Sequence, residues 1–207
     1  MFKYAYARLV LVSVTAVMLS LSSAGAQTLP QQDRDTLLKH LDQTRQAFLA
    51  SIANVSEAQW KYKASPDRWS IAEVAEHIAI SESTILQIVT DRVLKSPAAP
   101  RDPNAISDAK LLEGLLDRSS KFQAPEMLKP TNRWATRDAL AKDFSAAREK
   151  TAAYVRTTTD DLHGHSAPHP VFKALDGYQW ILLLSGHAAR HTAQIEEVKT
   201  SPGYPAK

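Results

Sequence analysis

Between Gln32 and about Ile52 the apolar residues Leu37, Leu38, Leu41, Phe48, Leu49 and Ile52 recur at helical spacing, leaving one stripe to bury. Asn54 to Arg68 is polar and contains Pro66, so it reads as a connection with room for one turn near Ser56. A second helix starts sharply at Ser70-Ile71-Ala72-Glu73. This is a capping box, in which Ser70 accepts from first-turn amides while Glu73 reaches back, and Trp69 before it can staple onto Val74. The stripe Ile71, Val74, Ile78, Ile85, Val89 carries this helix to about Leu94, where the three prolines between Ser96 and Pro103 end it.

Leu111, Leu112, Leu115 and Leu116 mark a short apolar helix, and a Pro-bounded loop, Ala124-Pro125 to Pro130, follows. A third long helix is expected from Thr136 to Thr158, with Leu140, Phe144, Ala147, Thr151 and Tyr154 or Val155 on one face. Residues 160–177 are rich in His, Pro and Gly and read as a loop. The last helix begins at Asp176, which forms a capping arrangement with Gln179, and runs to about Lys199. No strand alternation of any length and no internal repeat interrupts the pattern. The expected fold is all-α, a four-helix bundle with long crossover loops.

The first 26 residues follow a different logic. Lys3 and Arg8 precede an apolar run from Leu9 to Leu21, and Ala24-Gly25-Ala26 comes just before Gln27. A positive start, an apolar centre and an A-x-A site make a secretory signal peptide. The run is shorter than the ~20 residues that a membrane-spanning helix needs. Cleavage after Ala26 is therefore expected, giving a secreted or periplasmic chain of residues 27–207 with no stable membrane anchor.

Composition changes the picture in two places. The chain of 207 residues has no cysteine, which removes disulfides, thiolate zinc sites and Cys nucleophiles and leaves histidine and carboxylates as metal ligands. The net charge of +3 hints at an anionic partner, but Lys3 and Arg8 supply most of it, since 25 basic against 22 acidic residues become 23 against 22 without the leader. Lys142, Arg148, Lys150 and Arg156 on the third helix alternate with Asp138, Asp143 and Glu149. Such mixed charge reads as an ordinary solvated surface, so no nucleic-acid partner is expected.

The candidate chemistry lies in the histidines. At about 100° per residue, Trp180, Leu184, His187, His191, Gln194 and Val198 fall within roughly 80° of one another, on the apolar seam of the last helix. His187 and His191 stand at i and i+4, with Cβ atoms roughly 6 Å apart on one face. Buried polar groups need partners, and a divalent cation between two neutral imidazoles supplies one. A third ligand should come from a facing helix. His77 lies at the edge of its stripe and points inward toward a neighbour, although by itself it reads as a satisfied structural histidine before it reads as a ligand. Glu73, one turn earlier, is assigned to the cap rather than to orienting His77. His163, His165 and His169 read as solvated loop residues, with a second metal site at His-Gly-His as a lesser alternative, and His40 as a surface residue.

Two segments carry a family resemblance. Arg68-Trp69-Ser70-Ile71-Ala72-Glu73-Val74-Ala75-Glu76-His77-Ile78 resembles the second-helix signature of the DinB/YfiT-like four-helix bundles. Gly186-His187-Ala188-Ala189-Arg190-His191-Thr192-Ala193-Gln194-Ile195 is similar to their last-helix signature, a His followed by Arg-His and Gln-Ile. The stretch from Lys121 to Pro130 and the pair His169-Pro170 fit as well, so the resemblance covers residues 31–201. It implies an up-down-down-up bundle in which His77, His187 and His191 bind one divalent metal, commonly zinc or nickel, with iron or manganese as alternatives. Dimers are frequent among the resembling proteins, which makes a homodimer an open expectation. Some use low-molecular-weight thiols as co-substrates, to which an exported chain would have little access.

Three protein ligands leave a coordination position open, the mark of a catalytic rather than a structural site. Water there becomes a nucleophile and a substrate carbonyl is polarised. Gln194 either hydrogen-bonds that water or a substrate, or packs as a satisfied amide near the bundle end. Arg190 lies beside the seam and either attracts an anionic substrate or is solvated on the helix flank. Position 188 is Ala, so the general base of an H-E-x-x-H zinc protease is absent. The expectation is a metal-dependent hydrolase or transferase acting on an unknown small molecule, the alternative a non-catalytic metal- or ligand-binding bundle.

Overall fold

Long helices form where the apolar stripes predict them. The computed structural model describes residues 28–206, and the expected leader, residues 1–26, lies outside them. Helix α1 spans Gln31–Ala53, α2 Glu57–Lys61, α3 Ile71–Ile88, α4 Asp108–Leu116, α5 Arg137–Thr157 and α6 Gly177–Lys199. Caps fix most of the starts. Ser56 with Gln59, Ser70 with Glu73 and Asp176 with Gln179 each form a complete capping box, and Ser107 and Thr136 accept from the first turns of α4 and α5. Each such cap stabilises its helix by about 1 kcal/mol. α3 ends in one wide turn, Val89–Val93, closed by the Leu94 amide donating to the Val89 carbonyl at 3.0 Å. Among the described residues no helix is long and apolar enough to cross a membrane.

Two clusters of buried apolar side chains give each helix its direction. One joins Leu37 and Leu41 near the start of α1 to Ile85 late in α3, Val155 late in α5 and Trp180 and Ile181 early in α6. The other joins Phe48 and Ile52 late in α1 to Ile71 and Val74 early in α3, Leu140 and Phe144 early in α5 and Ile195 and Val198 late in α6. α1 and α6 therefore run one way, and α3 and α5 the other. Each of α1 and α3 packs against both α5 and α6, so the parallel pairs α1–α6 and α3–α5 are neighbours. A tight turn cannot join parallel neighbours. The chain from α3 to α5 must instead return along the length of the bundle, carrying α4 with it.

Three sequence expectations are corrected here. The segment read as loop contains an antiparallel hairpin, β1 Ser166–His169 and β2 Lys173–Asp176, with Ser166 opposite Asp176 and His169 opposite Lys173. Its alternation escapes notice because each strand has four residues, one of them Pro168, and the buried face amounts to Ala167 opposite Leu175. Asp176 ends β2 and caps α6, so the hairpin delivers the chain into the last helix. His40, expected at the surface, is half-buried.

The third correction concerns α5, whose charges are not all solvated: Arg148 is only 1% exposed. Its Nε and Nη2 donate to the two carboxylate oxygens of Glu82 on α3, at 2.6 and 2.7 Å. Nη1 donates to the Leu41 carbonyl and the Thr44 hydroxyl of α1, at 2.6 and 2.7 Å. One guanidinium thus ties three helices together at the centre of the bundle. A single Arg in a run of alternating charges gives no sign of this. The readable sign is Glu82, an acid in the apolar α3, which needs a buried partner.

At the α6 start, His163 bridges Asp176 and Asp33 of α1, at 3.3 and 3.1 Å, and its ring lies 5.0 Å from that of Tyr178. The hydrogen bond to Asp176, aided by Asp33, raises its pKa above the ordinary 6.5. The stability this bridge adds is complete below that value and is lost as pH rises through the folded-state pKa. Partly exposed pairs of this kind contribute about 0.2–1 kcal/mol. The difference in urea midpoint between wild type and His163→Gln is therefore expected at pH 6 and should fade above neutrality. A difference that grows with pH would refute the bridge.

Candidate metal centre

α3 and α6 run antiparallel, which sets His77, two turns into α3, against His187 and His191 around the middle of α6. The three side chains converge: one nitrogen from each lies within 4.8 Å of the others, and among the described residues this is the one group of histidines and acids so placed. The ring centroids are 4.4 to 4.8 Å apart. His77 is buried, while His187 and His191 keep part of their surface exposed. The loop histidines take other roles and build no second site. His163 bridges two aspartates, and the His165 Nδ1 donates to the Ser96 carbonyl at 2.7 Å. The His169 Nδ1 accepts the Val171 and Phe172 amides, at 3.2 and 3.3 Å. None is a freely solvated loop residue, contrary to the sequence expectation.

Outer partners select the tautomers. His77 Nδ1–H donates to the Leu128 carbonyl at 2.8 Å, and His191 Nδ1–H donates to Gln194 Oε1 at 2.8 Å. In each case Nε2 is left with its lone pair facing the cluster. His77 Nε2 and His187 Nε2 stand 3.0 Å apart. Burial lowers the pKa of all three rings, with the neighbouring imidazoles adding to the effect at His187 and His191, and His191 is pulled down to about 3. Neutral imidazoles with converging lone pairs repel one another unless a cation or a proton lies between them. Two imidazole nitrogens on a tetrahedral ion at ~2.05 Å stand roughly 3.3 Å apart, close to the 3.0 Å between His77 and His187 and within the 4.8 Å that bounds all three, so the donor set fits a divalent metal.

The residues around the cluster are already engaged. Glu73 accepts the Ser70 amide at 2.7 Å and pairs with Lys63 at 3.0 Å, the capping role the sequence indicates. Gln194 faces His191 through its carbonyl oxygen rather than standing free. Arg190 is neither solvated nor free to attract a substrate. It is buried and donates to the Leu115, Asp117 and Ser120 carbonyls, where it takes up the open end of α4. α4 lies so close to α6 that a Cβ on Gly186 would come within 2.7 Å of Leu115 Cδ1.

Sequence reasoning misses Glu76. It is 5% exposed and accepts the backbone amides of Thr131, Asn132 and Arg133 at 2.7, 3.0 and 3.2 Å. The available signal is an acid directly beside His77 on the mostly apolar α3.

The comparisons agree with this architecture. The family model described as the DinB superfamily matches residues 40–195. The uncharacterized protein YuaE of Bacillus subtilis (strain 168) is 28% identical over 148 residues, spanning 72% of this chain and 88% of its own. Among solved structures, YfiT from Bacillus subtilis superposes with a TM-score of 0.57 at 15% identity, over 86% of this chain and 93% of its own. YfiT is described as a probable metal-dependent hydrolase with an unusual four-helix bundle topology.

Proposed function

This chain belongs to the DinB superfamily, and on that premise we propose that it is a metal-dependent hydrolase or group transferase acting on a small molecule. Its single divalent ion, zinc or nickel, is held by His77, His187 and His191. The observation that carries this reading is the convergence of three neutral imidazoles from two helices, two of them locked with Nε2 inward. The description of YfiT as a probable metal-dependent hydrolase supports it. Export after cleavage at Ala26 is part of the same proposal.

An ion held there supplies Lewis acidity and activates water. The chain's own contribution is orientation. The Leu128 carbonyl and Gln194 hold the His77 and His191 rings, raising the basicity of their inner nitrogens. Arg190 fixes the end of α4 beside them. The carboxylates nearest in sequence, Glu73 and Glu76, are occupied by amides and Lys63, so neither accepts a proton from a reacting group. That occupation favours the second reading, a non-catalytic metal-binding bundle.

One experiment separates the two. Protein purified without a His tag is expected to carry about one equivalent of metal, the stoichiometry of a three-His site. A panel of ester, amide and phosphoester substrates is then assayed before and after chelation. Hydrolysis that disappears with the metal and returns with one equivalent supports the enzyme. Stoichiometric metal with no turnover across the panel supports the binding protein.

A further inference from the structure

We propose that Glu76 is a positioning residue for His77, acting through the crossover loop rather than by touching the ring or its ligand. The inference rests on the metal-site reading above and adds a device to it. Glu76 and His77 are consecutive in α3, so their side chains leave the helix about 100° apart. The Glu76 carboxylate gathers the amides of three successive residues, 131 to 133, with Thr131 and Arg133 on Oε1 and Asn132 on Oε2. To present these amides together the chain passes through a left-handed conformation at Asn132, φ 61°. Asn tolerates that region better than most residues, but it persists only where the surroundings hold it. A buried carboxylate taking three amide hydrogen bonds is such a surrounding.

The same loop supplies the Leu128 carbonyl, three residues before the first clamped amide, which accepts the His77 Nδ1–H at 2.8 Å. Between the two contacts lie only Lys129 and Pro130, and the short turn Glu126–Leu128 leads into them, so there is little slack. α3 thus holds the loop with one side chain, and the loop in return sets the ring orientation and tautomer of the next. Without the clamp, Leu128 would no longer be fixed against His77, and the ring could turn or carry its proton on Nε2. A ligand nitrogen bearing a proton cannot bind metal.

The test uses the full chain as wild type, Glu76→Gln and Glu76→Ala. The glutamine can still accept on one oxygen, but its amino group opposes the third amide, so a graded response is expected. Two readouts are compared: the Nδ1–H resonance of His77 and its exchange with solvent by NMR, and the zinc dissociation constant by competition with a chromogenic chelator. Wild type should show a slowly exchanging Nδ1–H. Exchange should quicken in Glu76→Gln, and the signal should be lost in Glu76→Ala. Zinc affinity should fall about 10-fold and up to 100-fold respectively, the range for lost outer partners of a ligand. Slow exchange and zinc affinity within twofold of wild type in both variants would overturn the proposal. If Glu76→Ala does not fold, Glu76→Gln carries the same comparison. A wild type that takes up no zinc would defeat the metal reading, and the Nδ1–H signal alone would then decide the role of Glu76.

Discussion

In the double variant His187→Ala/His191→Ala, metal content is expected to fall from about one equivalent to background, because one remaining imidazole cannot hold a divalent ion against buffer. Elemental analysis of tag-free protein reads this directly, and retained stoichiometric metal would refute the ligand assignment. Thermal unfolding gives an independent measure. Metal stabilises the wild type by mass action, so chelation should lower its melting temperature and leave that of the double variant unchanged. Both substitutions lie on α6 facing His77, away from the Arg148 centre and from the caps, so the bundle should still form. Any hydrolytic activity found for the wild type should be absent from this variant.

Arg148→Ala should cost the fold about 3–5 kcal/mol, the range for breaking a buried ion pair by removing one partner. In a chain of this size that lowers the melting temperature by roughly 6–20 °C. The loss comes chiefly from Glu82. Burial pushes its carboxyl upward, Arg148 pulls against that shift, and with Arg148 gone the charge has no partner beyond the Thr151 hydroxyl at 3.4 Å. The sign of the pH dependence follows. A carboxyl whose folded pKa is raised destabilises the fold most when ionised, so the variant should recover part of its loss as pH falls and Glu82 takes up a proton. Arg148→Met combined with Glu82→Leu removes both charges and should unfold at far lower cost than the single variant. Chemical denaturation of the three proteins at pH 5 and pH 8 checks all these expectations. A single variant that loses less than the double one would show that the pair is not the source.

The helices and the pair His187 and His191 were legible because they rest on periodicity and local chemistry, whereas His77 was singled out as a ligand only by the resemblance of its segment to a family signature. The capping boxes at Ser70 and Asp176 mark two helix starts to the residue, and i, i+4 spacing places His187 and His191 on one face whatever they pack against. The hairpin was hidden because two buried residues are too few to make an alternation. Arg148 was hidden because its neighbours in sequence are charged and its neighbour in space, Glu82, is 66 residues away. The Leu128 carbonyl lay outside any side-chain reading, since a backbone acceptor leaves no mark in the amino-acid code. In the last two cases what escaped was a partner distant in sequence, which a helix's own spacing does not reveal.

The packing of α1 beside α6 bears on the order in which the chain can fold. α1 has as its parallel neighbour α6, the last of the described helices, and α3 likewise packs on a helix that follows it only after a long return. Closing such large loops slows folding, since chain entropy is lost before distant contacts repay it. A nascent chain shorter than about residue 177 lacks the helix that completes both buried clusters. Truncations ending before α6 should therefore stay open and protease-sensitive, and the bundle forms only once α6 has been made.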